Sequence, residues 1–161
     1  MNKLIIRPAV ADDAHTIMQF IIDLAVYEKE PEAVATNTAE IASRLFCDSP
    51  KVFCLIAEID EQAVGIAIYF YNFSTWLGKH GIYLEDLFVT PAARGKGAGK
   101  ALLQELAKVA VNEQCGRVEW SVLDWNEPAI KFYQAMGAKP QDGWTVYRLT
   151  GDALNSFATA K

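Results

Sequence analysis

Two neighbouring acids, Glu85 and Asp86, interrupt the otherwise apolar run Tyr83-Leu84-Glu85-Asp86-Leu87-Phe88-Val89. Carboxylates among such neighbours lose solvation, which raises their pKa unless a cation or hydrogen bonds compensate. A carboxylate in that state can serve as a base or as an anionic seat for an amine. A strand edge emerging into water is the plainer alternative. Strict alternation puts the two acids on opposite faces, so both serve one site only if the strand bulges or splays there. Further along, Arg94-Gly95-Lys96-Gly97-Ala98-Gly99-Lys100 lies between a strand and a helix. Backbone N–H groups and a helix N-terminus can hold phosphate there, and Arg94, Lys96 and Lys100 add positive charge. Asn126 and Tyr133 stand seven residues apart, about two helical turns, so both can look the same way. A tyrosine at that distance could donate its phenol proton to a leaving thiolate. A core aromatic is its plain alternative, and the reading taken for Phe132.

These groups need elements to position them. Leu4 to Arg7 reads as a short strand stopped by Pro8, and Asp12-Asp13 offers an N-cap and first-turn negative charge for a helix. Ile17, Phe20, Ile21 and Leu24 mark one face of that helix, which Pro31 ends. A weaker helix runs from about Thr38 to Phe46, with Ile41, Leu45 and Phe46 inward. Val52–Ala57 and Val64–Tyr71 are β-rich runs separated by Asp60-Glu61-Gln62, a hairpin signal. A loop from Asn72 to Gly81 leads to a third run, Ile82–Val89. After the glycines, Leu102, Leu103, Leu106, Val109 and Ala110 mark an amphipathic helix. Val118–Leu123 reads as a strand, Asn126–Met136 as a helix with Gly137 just past its end, and Trp144–Leu149 as a last strand before a short helix from Asp152. The order is β-α-α-β-β-β-α-β-α-β. It predicts an α/β (α+β) class with a mixed central sheet and helices on both faces.

The chain has 161 residues, the size of one domain, so 1–161 is expected to be a single unit. No apolar run approaches the ~20 residues of a membrane span, and no secretion signal is visible at Met1-Asn2-Lys3. A net charge of −5 disfavours nucleic acid and membrane surfaces and suits cationic ligands. Cys47, Cys54 and Cys115 are widely spaced, without a C-x-x-C pair, and read as buried reduced thiols in a reducing cytoplasm. With two histidines, His15 and His80, no metal site is expected. Trp120, Trp125 and Trp144 read as packing residues.

The glycine loop fails as a Walker A motif, because Arg94 and Ala101 occupy two of its defining positions, and it lacks the third glycine of a dinucleotide fingerprint. An ordinary turn before a helix is the plain alternative. The loop also fits the pattern Gln/Arg-x-x-Gly-x-Gly/Ala through Arg94, Gly97 and Gly99. With the order of elements and the ending Asn126…Phe132-Tyr133-x3-Gly137, the chain resembles the GNAT acetyltransferase superfamily over nearly its whole length. The stretches Tyr83-Leu84-Glu85-Asp86, Asp124-Trp125-Asn126-Glu127-Pro128 and Leu24-Ala25-x-Tyr27-Glu28 are similar to the diamine acetyltransferase group, which includes spermidine/spermine and thialysine acetyltransferases.

That resemblance implies the GNAT fold and transfer of an acetyl group from acetyl-CoA to a primary amine. It implies a pantetheine arm between splayed strands at Leu87–Val89 and Val118–Leu123, with the thioester carbonyl polarised by backbone N–H. Leu87, Phe88, Val89, Arg94, Gly95, Lys96, Gly97, Ala98, Gly99, Lys100, Asn126 and Tyr133 would bind the co-substrate. Glu85 would be the general base, through water, and Tyr133 the general acid. Tyr27, Glu28, Ser74, Thr75, Trp76, Glu85 and Asp86 would seat the amine. Spermidine enzymes carry Asp-Pro where this chain has Ser74-Thr75, and the thialysine branch carries Ser-Thr and a leucine like Leu123. A thialysine- or lysine-like amine is therefore expected ahead of a polyamine, since losing an acid weakens a long polycation more. Ala129 departs from relatives with serine there, which removes one hydrogen bond to coenzyme A. Homodimerisation is implied, with the segment from Trp144 onward as the contact. The rival on this fold is a non-catalytic acyl-CoA-binding module, against which the presence of both Glu85 and Tyr133 counts.

Overall fold

The computed structural model describes residues 3–160, so the reading of Met1 and Asn2 lies outside the described residues. The chain forms two compact units, Met1–Leu123 and Asp124–Lys161.

The first unit is built on a five-stranded sheet in the order β1 (Leu4–Pro8), β2 (Phe53–Ile59), β3 (Gln62–Ser74), β4 (Lys79–Val89), β5 (Val118–Trp120). The first four strands pair antiparallel and β5 joins β4 in parallel, so the sheet is mixed as expected. Asp60 and Glu61 at φ 52° and 66° form the two-residue turn between β2 and β3, the mirror-image turn that matches strand twist. Helix α1 (Ala14–Tyr27) and helix α2 (Thr38–Leu45) cover one face. There Ile17, Phe20, Leu24 and Leu45 pack on Cys54, Ile56, Ile66, Ile68 and Phe88, with Ile21, Ile41 and Phe46 at the margin. Helix α3 (Ala98–Asn112) turns Leu102, Leu103, Leu106 and Ala110 inward against the sheet's other face.

Three expectations need correction in this unit. Asp13 does not cap α1 with its side chain; its carboxylate accepts from Arg7 Nη1 at 2.7 Å and from the Val10 N–H at 2.8 Å. Arg7 also donates to Glu58 of β2 at 2.7 Å, so this guanidinium ties β1 both to β2 and to the start of α1, and its hydrogen bond holds the Asp13 carboxyl below its usual range. Of the thiols only Cys54 is buried; Cys47 is exposed and Cys115 half-buried. Strand β5 ends at Trp120, three residues short of the run read from the sequence.

In the second unit, helix α4 (Glu127–Ala135) and helix α5 (Gly151–Thr159) are as read. The stretch expected as a strand, Trp144–Leu149, has an irregular backbone in this unit. Trp144, Val146 and Tyr147 favour a pleated surface, but β propensity depends on context and does not by itself make a strand. Trp144 is 75% exposed rather than packed away.

Candidate active site

The β3–β4 ladder pairs Ile68 with Asp86 and Tyr69 with Leu84, so one step on β3 spans two residues on β4. Glu85 is the extra residue of a β-bulge. The insertion inverts side-chain parity. Before it, Ile82 and Leu84 are buried opposite Tyr71 and Tyr69; after it, Asp86 and Phe88 face the same way as Ile68 and Ile66, toward α1. The condition set by the sequence for bringing two adjacent acids to one place is thus met.

Glu28 joins them from the C-terminal end of α1, where its N–H closes on the Leu24 carbonyl at 2.8 Å and Lys29 turns the chain at φ 65°. Burial pushes the Asp86 carboxyl up to about 6, and the charges of Glu85 and Glu28 push it in the same direction. Burial likewise raises Glu28. Of the adjacent acids, Asp86 is the desolvated one, whereas Glu85 is exposed at the bulge. Asp86, whose ionisation is disfavoured by burial and by the neighbouring charges of Glu85 and Glu28, marks a place that a cation would relieve.

Beyond Leu84, paired with Trp120, β4 and β5 share no further ladder. Backbone groups on that edge of β4 are left for another partner. Phe88 is buried 5.5 Å from Phe20, so only its backbone is on offer. Past β4, Gly95 and Gly97 take φ 76° and 89°, with open space where a Cβ would stand. Their glycine identity is required by backbone conformation alone. Gly97 precedes α3 with no side chain capping the helix, so the first-turn N–H groups from Ala98 onward are available to an anion beside exposed Lys96 and Lys100. Gly99 lies within the first turn of α3. Arg94 does not simply extend into the loop. Its Nε donates to the Val89 carbonyl at 3.0 Å and its guanidinium lies 5.0 Å over the Tyr27 ring, joining the end of β4 to the end of α1.

Ser74 is buried, and its Oγ accepts the Leu77 N–H at 3.2 Å, so its hydroxyl shapes the loop. Thr75 is exposed, and Trp76 is 87% exposed.

In the second unit Asn126 begins α4, its Oδ1 accepting the Ala129 N–H at 3.4 Å, with Pro128 in the first turn. The other end closes on Tyr133. The Ala138 N–H donates to the Tyr133 carbonyl at 3.2 Å and the Gly137 N–H to Gln134 at 3.0 Å, with Gly137 at φ 91°. This paired closure of backbone bonds ends the helix at the turn that carries the half-buried Tyr133.

The model of the acetyltransferase (GNAT) family matches residues 17–138. The chain belongs to the GNAT acetyltransferase family. A thialysine N-epsilon-acetyltransferase of Bos taurus is 35% identical over 98% of this chain and 99% of its own. A spermidine/spermine N(1)-acetyltransferase-like protein 1 of Homo sapiens is 33% identical over 98% of this chain and 24% of its own. Among solved structures, an integron cassette protein from the mobile metagenome of V. cholerae superposes with a TM-score of 0.81, at 27% identity, over 98% of each chain.

The protein is therefore an acetyltransferase with the GNAT fold, in a family that uses acetyl-CoA as co-substrate. The residues present fit that molecule: uncapped N–H groups and two lysines suit its phosphates, and the free edge of β4 suits an amide-bearing arm. What the sequence did not show is that Arg94 reaches α1. No local pattern could have shown it, because Tyr27 lies 67 residues earlier. Among the described residues no group of His, Cys, Asp and Glu could hold a metal, and no helix is long and apolar enough to cross a membrane.

Proposed function

We propose that this acetyltransferase acts on a small cationic primary amine of the thialysine or lysine type. The observation carrying this reading is the convergence of Glu28, Glu85 and Asp86 at the β4 bulge, with Asp86 raised to about 6. An ammonium entering there offsets the repulsion and desolvation that these groups bear. Ser74-Thr75 adds no further acid for a longer polycation, and the bovine relative is named for thialysine.

The amine arrives protonated, since a free alkylammonium has a pKa near 10.4. Asp86 and Glu28 hold it, and exposed Glu85 takes a proton through water and passes it to solvent. Acetyl-CoA supplies the acetyl group as a thioester when bound. Leu87, Phe88 and Val89 would hold it by their backbone, and Gly95, Lys96, Gly97, Ala98, Gly99 and Lys100 by N–H groups and charge, with Arg94 bracing the loop. Asn126 sets the start of α4, from which Tyr133 supplies the proton that the leaving thiolate needs. We take residues 1–161 as one catalytic domain, since the family match runs through both units. Cytoplasmic location and a homodimer complete the proposal; Val146, Tyr147 and Phe157, exposed at 85%, 93% and 74%, support the dimer contact. Sedimentation at micromolar concentration is expected to give twice the chain mass, and a monomer would refute the dimer.

A panel of kcat/KM values tests the substrate. Thialysine and lysine are expected to exceed putrescine and spermidine by about tenfold or more, the scale on which one misplaced charge or hydrogen bond discriminates. Spermidine as the best substrate would overturn the reading in favour of a polyamine enzyme.

A further inference from the structure

Where β4 and β5 stop sharing backbone bonds, a side-chain bond takes over. Tyr83 on β4 is in register with Glu119 on β5, and Leu84 with Trp120, the last pair of the ladder. Ser121 is the next residue of the chain, and two beyond Glu119 it returns to the face on which Tyr83 lies. The Tyr83 phenol and the Ser121 hydroxyl meet there at 2.8 Å. The Tyr83 ring is braced by Phe70 of β3, centroids 5.2 Å apart. On the same face Glu119 is held by Arg117 Nε at 2.9 Å and by Asn72 Nδ2 at 3.4 Å. Strand β5 is thus fixed by backbone and ion-pair bonds, and the chain just past its end is held by a hydroxyl pair. Two residues past Tyr83 on β4 comes the bulged Glu85 and then Asp86, which faces the same side of the sheet as Tyr83.

We propose that the Tyr83–Ser121 hydrogen bond is a tether that sets how far β5 stands from β4 where the two strands part, making both residues positioning residues for acetyl-CoA. The proposal rests on the reading that the co-substrate arm takes up the free edge of β4. A tether at this place leaves the backbone groups beyond Leu84 unpaired, yet keeps the neighbouring chain at one separation, so less ordering is needed when the arm binds. Neither residue touches the reacting atoms in this account. They act through the backbone of Ser121–Leu123.

The test is calorimetric titration of the whole protein with coenzyme A, alongside steady-state kinetics. Tyr83→Phe and Ser121→Ala are each expected to raise Kd for coenzyme A and KM for acetyl-CoA by about threefold to tenfold, the range that one neutral hydrogen bond is worth. The double variant is expected to be no weaker than the worse single one, because both remove the same bond. KM for the amine should stay within about twofold, and Ser121→Thr, which keeps the hydroxyl, should bind as the parent does. An unchanged Kd in folded Tyr83→Phe, or losses that multiply in the double variant, would overturn the tether. Failure of the parent protein to bind coenzyme A would instead sink the acetyl-CoA reading, which a failed tether leaves standing.

Discussion

Glu85→Gln and Tyr133→Phe are each expected to lower kcat about 100-fold or more, the usual scale of acid–base catalysis, while leaving the fold intact. The amine must lose a proton before it can attack, and the departing thiolate must gain one. Glu85 is suited to the first task because the bulge places it outside the ladder and in contact with solvent, beside two acids that face α1. Glutamine keeps its size and removes only the ability to take a proton. The Tyr133 carbonyl accepts from the Ala138 and Met136 N–H groups, backbone bonds that phenylalanine keeps. Stopped assays of thiol release with both variants, with circular dichroism as a check on structure, read the result. Unchanged turnover in a folded Tyr133→Phe variant would take the tyrosine out of the reaction.

Asp86→Asn is expected to bind the amine worse and to fold more stably, two effects of opposite value from one group. In the folded protein the carboxyl is raised to about 6, against an ordinary 3.8, so the folded state holds its proton more tightly than the unfolded one. Asp86 therefore favours folding below about pH 4, and that contribution is lost as pH rises through about 6. Asparagine, neutral at every pH, escapes the loss. At pH 8 the variant should be more stable by on the order of 2–3 kcal/mol, a rise of about 4–12 °C in Tm. The gain should shrink to roughly half at pH 5 and vanish below pH 4. Against this, kcat/KM for the amine should fall about 30-fold or more, as when one partner of a desolvated charge pair is removed. For the parent enzyme the same titration predicts that KM for the amine rises as pH falls through about 6. Thermal melts at pH 4, 5 and 8 decide the first part, and a variant less stable than the parent at pH 8 would show that Asp86 is satisfied by a partner instead of strained.

Where the sequence could be read and where it could not follows from which forces are local. The Tyr83–Val89 run showed two acids that a strand cannot place together, and named a bulge as the way out; that the bulge exists, and that Asp86 is the buried member, depended on pairing with Ile68 and Tyr69 of β3. Asp13 looked like a cap by its position before α1, but a guanidinium on β1 competes more strongly for a carboxylate than helix N–H groups do. Trp144–Leu149 has strand composition and an irregular backbone, because β propensity is set by context more than by the segment itself.

By itself the sequence determined the helices, with Gly137 just past the end of α4, the hairpin at Asp60-Glu61 and the glycine loop at the head of α3. Each of these is set by residues within a few positions of one another, through backbone dihedral preference, capping and hydrophobic period. Only the tertiary structure decided which acid loses its water, that Arg94 reaches Tyr27, and where β4 and β5 part. Those outcomes depend on groups from strands and helices tens of residues apart, and desolvation and long-range hydrogen bonding exist only once those elements have packed.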